Sequence, residues 1–189
     1  MKDTLISARN YLLGGFYKLI LKPIFFKSDP EVVHNHMTSV GIFLGKYVIT
    51  RKLTGFLFRY SNPILEQKIL GINFKNPIGL SAGFDKNANL TNILPEVGFG
   101  FAELGSITGE YCDGNPKPRL WRLKKSKSLV VYYGLKNDGC KIISKRLQNK
   151  KFKIPIGISV AKTNCKETVE TEKAIVDYFK AYPFLFYGY

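Results

Sequence analysis

The chain has 189 residues, 45% of them hydrophobic and 23% charged, which is the composition of a globular rather than a disordered protein. Its 29 basic and 14 acidic residues give a formal net charge of +15, which permits attraction to nucleic acid, anionic lipid or an anionic substrate. No helix-turn-helix, RNA-binding aromatic motif or zinc-ligand spacing accompanies that charge, and apart from a denser run from Lys141 to Lys153 the lysines are scattered, so the excess reads as a solvated surface and nucleic acid is not an expected partner.

The run Tyr11-Leu-Leu-Gly-Gly-Phe-Tyr-Lys-Leu-Ile-Leu-Lys-Pro-Ile-Phe-Phe26 is apolar but broken by Lys18, Lys22 and Pro23. A membrane-spanning helix wants about 20 predominantly apolar residues, so no span is expected. Wound as a helix, Leu12, Phe16, Leu19 and Ile20 share a face, with Lys18 and Lys22 on a narrow polar strip. That suits a helix lying in a membrane interface, with lysines reaching headgroups; a helix packed on a soluble core would read the same way. No signal-peptide cleavage site follows it.

Ser28-Asp-Pro-Glu31 predicts a helix start, with Ser28 or Asp29 capping and Pro30 in the first turn. The helix runs to about Lys46 or Tyr47 and places Val33, Met37, Val40, Leu44 and Tyr47 on one side. His34 and His36 have no partner at metal-ligand spacing and read as packed or surface residues. Residues 51–66 read as a connector. Gln67 to Lys75 predicts a hairpin turning near Gly71.

Asn76-Pro-Ile-Gly-Leu-Ser-Ala-Gly-Phe-Asp-Lys-Asn87 then reads as a buried parallel strand whose C-terminal end opens onto a ligand. Small residues let backbone approach a flat ring, and Lys86 sets a positive charge beside it. A helix is expected from about Ala88 to Gly98, with Pro95 inside it, and a second strand over Phe101-Ala-Glu-Leu-Gly-Ser-Ile-Thr108. Together these make the first β-α-β of an α/β fold. The stretch from Thr108 to Asn137 is long for a loop, and Arg119 to Leu123 is expected to pair with Leu129 to Tyr133. Asn137 or Asp138 starts a helix with Ile142, Ile143 and Leu147 inward. Ile154 to Val160 is a third strand. Lys166 to Tyr182 is a helix with Val169, Ala174, Ile175, Tyr178 and Phe179 as its apolar set, followed by an aromatic tail to Tyr189. Cys112, Cys140 and Cys165 are odd in number and lack Cys-x-x-Cys spacing, which argues against a disulfide framework or structural zinc and fits a reducing compartment.

Three blocks carry a resemblance: Asn76 to Lys86; Gly98-Phe-Gly-Phe-Ala-Glu-Leu-Gly-Ser-Ile-Thr108; and Gly114-Asn-Pro-Lys-Pro-Arg-Leu-Trp-Arg-Leu123. In this order and spacing they closely resemble the membrane-associated, quinone-dependent (class 2) dihydroorotate dehydrogenases, from about Tyr17 to about Phe179. The resemblance implies a (β/α)8 barrel of TIM type preceded by a helical extension. Residues 1–60 would be that extension, lying on the membrane and forming a quinone tunnel that soluble class 1 relatives lack. Residues 67–189 would be the first part of an FMN-binding barrel. A barrel takes about 250 residues, so about the first half is present and the chain is expected to be a fragment.

The implied reaction is oxidation of dihydroorotate to orotate, with FMN as cofactor and a quinone as acceptor, at the cytoplasmic side of a membrane. Ala82, Gly83 and Lys86 match positions lining FMN, Lys86 also the lysine that reaches the orotate carboxylate, and Ser106 a hydroxyl position at the flavin. Ser159 stands where an asparagine is common, and a serine there could still bond flavin with a shorter reach. The substrate-binding block Val131-Tyr132-Tyr133-Gly134-Leu135 departs from the family pattern. Val131 replaces an asparagine, Leu135 a phenylalanine and Lys136 a second asparagine. Valine cannot make an amide's hydrogen bonds, so the pocket either takes another substrate or uses another donor such as Lys136 or Asn137. The catalytic base, a serine in class 2 enzymes, lies beyond Tyr189 in the family. No catalytic residue is therefore expected in this chain, and no turnover by it alone. The other readings are a different FMN-barrel oxidoreductase and a non-catalytic basic protein of the membrane surface.

Overall fold

The computed structural model describes residues 2–186; the last three residues of the aromatic tail lie outside the described residues. The N-terminal apolar run forms α1 (Lys2–Phe16), a π-helical turn (Tyr17–Leu21) and α2 (Lys22–Lys27). Pro23 explains the widened turn, because its ring excludes a normal helical bond in the preceding turn; the Lys22 amide bonds instead to the Tyr17 carbonyl. Leu12, Phe16, Leu19 and Ile20 all stay exposed, so this helix does not pack on a core through that face. Among the described residues no helix is long and apolar enough to cross a membrane.

Helix α3 (Pro30–Lys46) starts as expected, with the Asp29 carboxylate accepting from the Glu31 and Val32 amides and Pro30 in the first turn. Its expected face is only partly inward. Val33, Val40 and Leu44 are half-buried, Leu44 against Leu90, Ile93 and Leu94, but Met37 and Tyr47 are exposed, while Glu31 and Gly45 are buried. Gly41 and Gly45 let the helix lie against Leu90, Asn92 and Ile93. A further helix, α4 (Val48–Phe58), takes up the first half of the expected connector. The Thr50 hydroxyl bonds back to the Leu44 and Tyr47 carbonyls, closing the α3–α4 corner.

The hairpin β1 (Gln67–Ile69) and β2 (Ile72–Phe74) turns at Leu70 and Gly71, as its sequence predicts. Phe74 packs edge-on against Phe101, 5.5 Å between ring centroids. Next come β3 (Gly79–Leu80), β4 (Phe101–Ile107), a hairpin of β5 (Leu120–Leu123) and β6 (Ser128–Val131), α5 (Cys140–Leu147), β7 (Ile156–Val160) and α6 (Thr171–Phe186). Strands β3, β4 and β7 form one parallel sheet in that order. It is open, not a closed barrel, among the described residues.

Two expected helical features differ. Residues 88–98 form successive turns rather than a helix: Ile93 and Leu94 amides both bond to the Leu90 carbonyl, and Pro95 has no amide to continue the ladder. The expected stop at Gly98 holds, with Phe99 N donating to Leu94 O across it. On α5, Ile143 and Leu147 are buried beside Cys140, but Ile142 is exposed. On α6, Asp177 and Ala181 are buried, whereas Ile175, Tyr178 and Phe179 face outward; Val169 is also exposed, in a short 3-10 turn before the helix. One core joins Leu104 and Ile107 of β4 to Cys140, Ile143 and Leu147 of α5. A second joins Leu90, Ile93 and Leu94 to Ala102 and Ile154.

Candidate functional site

The C-terminal ends of the three parallel strands meet at an irregularity in β4. The β4–β7 register shifts between Leu104 and Ile107, which frees Gly105 from the ladder. Gly105 instead receives the loop after β3: Gly83 N donates to Gly105 O at 2.7 Å, and Gly105 N donates to Asp85 O at 3.1 Å. The same shift brings the Ser106 hydroxyl to 2.8 Å from that of Ser159 on β7. Gly83, Ser106 and Ser159 therefore share one mouth, with Ala82 adjacent. At Gly83, φ is +102° and the space beyond its Cα is open. A side chain there would be strained and would stand in the opening.

Lys86 follows in the same loop and reaches toward His34 and Tyr133. Asp85 anchors the turn: it is buried, and its two carboxylate oxygens accept from the Asn89 and Leu90 amides, each at 2.8 Å. Burial raises the Asp85 pKa and the two amide bonds oppose the rise. The Lys86 ammonium lies 4.1 Å above the Tyr133 ring and 3.5 Å from His34 Nε2 on α3. Burial, more than any neighbouring charge, lowers the Lys86 pKa to about 8. Burial first, and the Lys86 charge second, hold the His34 imidazole below its usual value.

Tyr133 lies under a second cation, with the Arg119 guanidinium 4.8 Å from its ring. Arg119 is buried and grips Glu31 of α3 with two bonds, Nε to Oε2 at 3.1 Å and NH2 to Oε1 at 2.7 Å. It also donates to the carbonyls of Asp113 and Asn115. The bond to Arg119 is the main reason that the Glu31 carboxyl sits below its normal range. Burial, then the Glu31 charge, push the Tyr133 phenol up to about 12.

His34, Lys86, Tyr133 and Lys136 line a cleft of about 270 Å³ between α3 and the strand-end loops. The expected residues thus fall into two groups. Ala82, Gly83, Ser106 and Ser159 belong to the mouth; Lys86 and Tyr133 line the cleft. Val131 and Tyr132 do not line it: both are exposed, Val131 paired with Leu120 in the hairpin. Gly134 and Leu135 are half-buried in the loop beyond, where the Gly134 carbonyl accepts from the side chains of Cys112 and Asn164. Sequence reasoning missed His34 and the Glu31–Arg119 pair. Arg119 carried a signal, as a charge at the start of an apolar strand; Glu31 read only as a residue of the helix start.

The family model for dihydroorotate dehydrogenase matches residues 64–183. Among curated relatives, the dihydroorotate dehydrogenase (quinone) of Gloeobacter violaceus is 35% identical over 168 residues, covering 89% of this chain and 46% of that protein. The protein of the same name from a Sulfurovum species is 40% identical over 162 residues, covering 84% and 44%. The chain thus spans about half the length of the curated relatives it matches. Among solved structures, a dihydroorotate dehydrogenase from Eimeria tenella in complex with ferulenol superposes with a TM-score of 0.62 at 31% identity, over 78% of this chain and 39% of that one.

Proposed function

The chain belongs to the dihydroorotate dehydrogenase family, and from that premise we propose that it contributes to FMN-dependent oxidation of dihydroorotate to orotate, with a quinone as electron acceptor, in pyrimidine biosynthesis. The observation that carries this reading is the mouth at Gly105. One backbone irregularity there sets the open face of Gly83 beside the paired hydroxyls of Ser106 and Ser159, and Lys86 leaves the same loop. These residues suit a flat, electron-accepting ring. The bare Gly83 backbone permits close approach. The Ser106 and Ser159 hydroxyls each donate or accept at the ring edge. The Lys86 ammonium, half-buried, counters negative charge that develops on ring or substrate.

Such a flavin would supply hydride acceptance and onward electron transfer. The side chains of this chain would bind, orient and provide charge, and we assign the proton-abstracting step to none of them. Titrating FMN with the full chain tests the reading. Flavin fluorescence should change on binding, orotate should alter the visible spectrum of the bound flavin, and Gly83→Val should abolish both. A chain that leaves FMN fluorescence unchanged, or a Gly83→Val variant that binds it equally, refutes the assignment.

Residues 1–60 are taken as the membrane-facing extension and residues 67–189 as part of the FMN-binding barrel. Support for the first comes from the exposed Leu12, Leu19, Ile49, Leu53 and Phe56 on the helices before the sheet, flanked by Lys18, Lys22 and Lys52. A peripheral seat at the cytoplasmic side of a membrane follows, with the acceptor arriving between these helices. Flotation with vesicles containing anionic lipid should recover the chain, and deletion of residues 1–50 should abolish recovery. Undiminished flotation of the shortened chain would move the lipid contact elsewhere.

A further inference from the structure

We propose that a cleft at the foot of the parallel sheet, opposite the mouth, is a phosphate site built by Arg59, Lys75 and Lys153. Its ligand is a small phosphate monoester, and the inference does not rest on the flavin reading above. Position is the first argument. Asn76, Phe99 and Ile154 line the cleft, and they stand just before β3, β4 and β7. Parallel strands begin at one end of their sheet, so the cleft lies at the end away from the loop of Gly83 and Lys86. Arg59, at the end of α4, closes it from the helical side.

Charge is the second argument. Arg59, Lys75 and Lys153 come from three separate segments and all line the cleft, and no carboxylate lines it. Glu96 is buried beside it, its side chain 5% exposed, and holds Lys153 through Oε1 at 2.6 Å and Arg59 through Oε2 at 3.5 Å. Gly55 of α4 faces that carboxylate without a side chain; a Cβ there would lie 2.6 Å from Oε2. One buried carboxylate thus fixes two cations, which stay more than half exposed and keep N–H donors for a ligand. Lys75 is exposed and joins none of the ion pairs among the described residues. Three cations against one carboxylate leave two positive charges unmatched. A phosphate monoester carries about −1.5 to −2 at pH 7 and matches that excess better than a single carboxylate does. The Arg59 fork suits two phosphate oxygens, and each lysine adds a point charge.

Size bounds the ligand. The cleft holds about 200 Å³, below the roughly 300 Å³ at which pockets for drug-sized molecules begin. That suits a phosphate with one short attached group, with the Ser61 hydroxyl as a further polar partner. Two sources carry such a group. One is a soluble ester. The other is a lipid headgroup, because the exposed Ile49, Leu53 and Phe56 run along α4 toward Arg59.

Calorimetric titration of the full chain at low salt with glycerol 3-phosphate and with acetate tests the site. Flotation with vesicles of phosphatidic acid or of phosphatidylglycerol, matched in surface charge, tests the source. Glycerol 3-phosphate should bind at least tenfold more tightly than acetate. Lys75→Gln leaves both Glu96 pairs in place and should weaken the ester about tenfold, the scale of one hydrogen bond to a charged group. Lys75→Arg should retain it, and Lys124→Gln, outside the cleft, should change nothing. Glycerol 3-phosphate refused, with a preference for phosphatidic acid that Lys75→Gln removes, supports the site and makes the headgroup its ligand. Acetate matching the ester overturns the site, as does Lys124→Gln weakening the ester as much as Lys75→Gln. Lys75→Gln without effect on either the ester or the phosphatidic acid preference also overturns it.

Discussion

Arg119→Ala is expected to destabilise the chain by about 3–5 kcal/mol, the usual cost of removing one partner from a buried ion pair. Arg119 and Glu31 have side chains only 3% and 6% exposed, so the abandoned Glu31 carboxylate has little water to turn to. The carbonyls of Asp113 and Asn115 lose their donor at the same time. Lys117 lies 3.7 Å from Glu31 but is 65% exposed, and Lys117→Ala should change stability by less than about 1 kcal/mol. Acid titration separates this cause from general damage. The Glu31 pKa is lowered in the folded chain, chiefly by the Arg119 bond. Its stabilisation is therefore present above the unfolded carboxyl pKa and is lost as pH falls through the lower folded value. Without Arg119, burial pushes the Glu31 pKa up against only the weaker charges of Lys117 and Lys136, so the variant loses less stability than the parent chain as pH falls. Urea midpoints measured across the acid range should show the gap between the two proteins shrinking as pH falls. A gap independent of pH would show that the ion pair is not what the substitution removed.

Local signals were legible in the sequence; distant partners were not. The Asp29-Pro30 helix start, the Leu70-Gly71 turn and the β5–β6 hairpin each depend on residues within a few positions of one another, and each formed as read. The helix expected over 88–98 failed at Pro95, where a missing amide outweighed the apolar spacing. Helix α4 was read as a connector, yet Thr50, Arg51 and Thr54 bond to backbone carbonyls within the α3–α4 corner. On α6 the spacing of Ile175, Tyr178 and Phe179 shows which residues share a face, but not what covers it, and in this chain that face is exposed. The mouth was half legible. Small residues and hydroxyls at strand ends pointed to Gly83, Ser106 and Ser159. Nothing local could say that Glu31 and Arg119, 88 positions apart, would fix α3 over Lys86. Nor could it place Val131 on an exposed hairpin while Lys136 entered the cleft.

Gly105→Ala should damage stability and the mouth together. Gly105 has φ of +105°, and a Cβ built there would lie 2.6 Å from the Ser159 carbonyl and 2.7 Å from the Ile107 amide. Both neighbours are backbone, so no side chain can swing aside. Strain from the dihedral costs about 1–3 kcal/mol, and forced separation of β4 from β7 costs about 1–3 kcal/mol more. The two terms act at one place, where Gly105 also accepts from Gly83 and donates to Asp85. Pushing β4 away from Ser159 would lengthen the Ser106–Ser159 contact and shift the loop that carries Lys86. Loss of FMN affinity should therefore accompany the fall in unfolding midpoint. Ser106→Ala provides the contrast: it removes one hydroxyl but leaves the backbone in place, so it should weaken FMN binding with only a small change in midpoint. If Gly105→Ala lowers the midpoint yet binds FMN as tightly as the parent chain, the ring does not sit at this mouth.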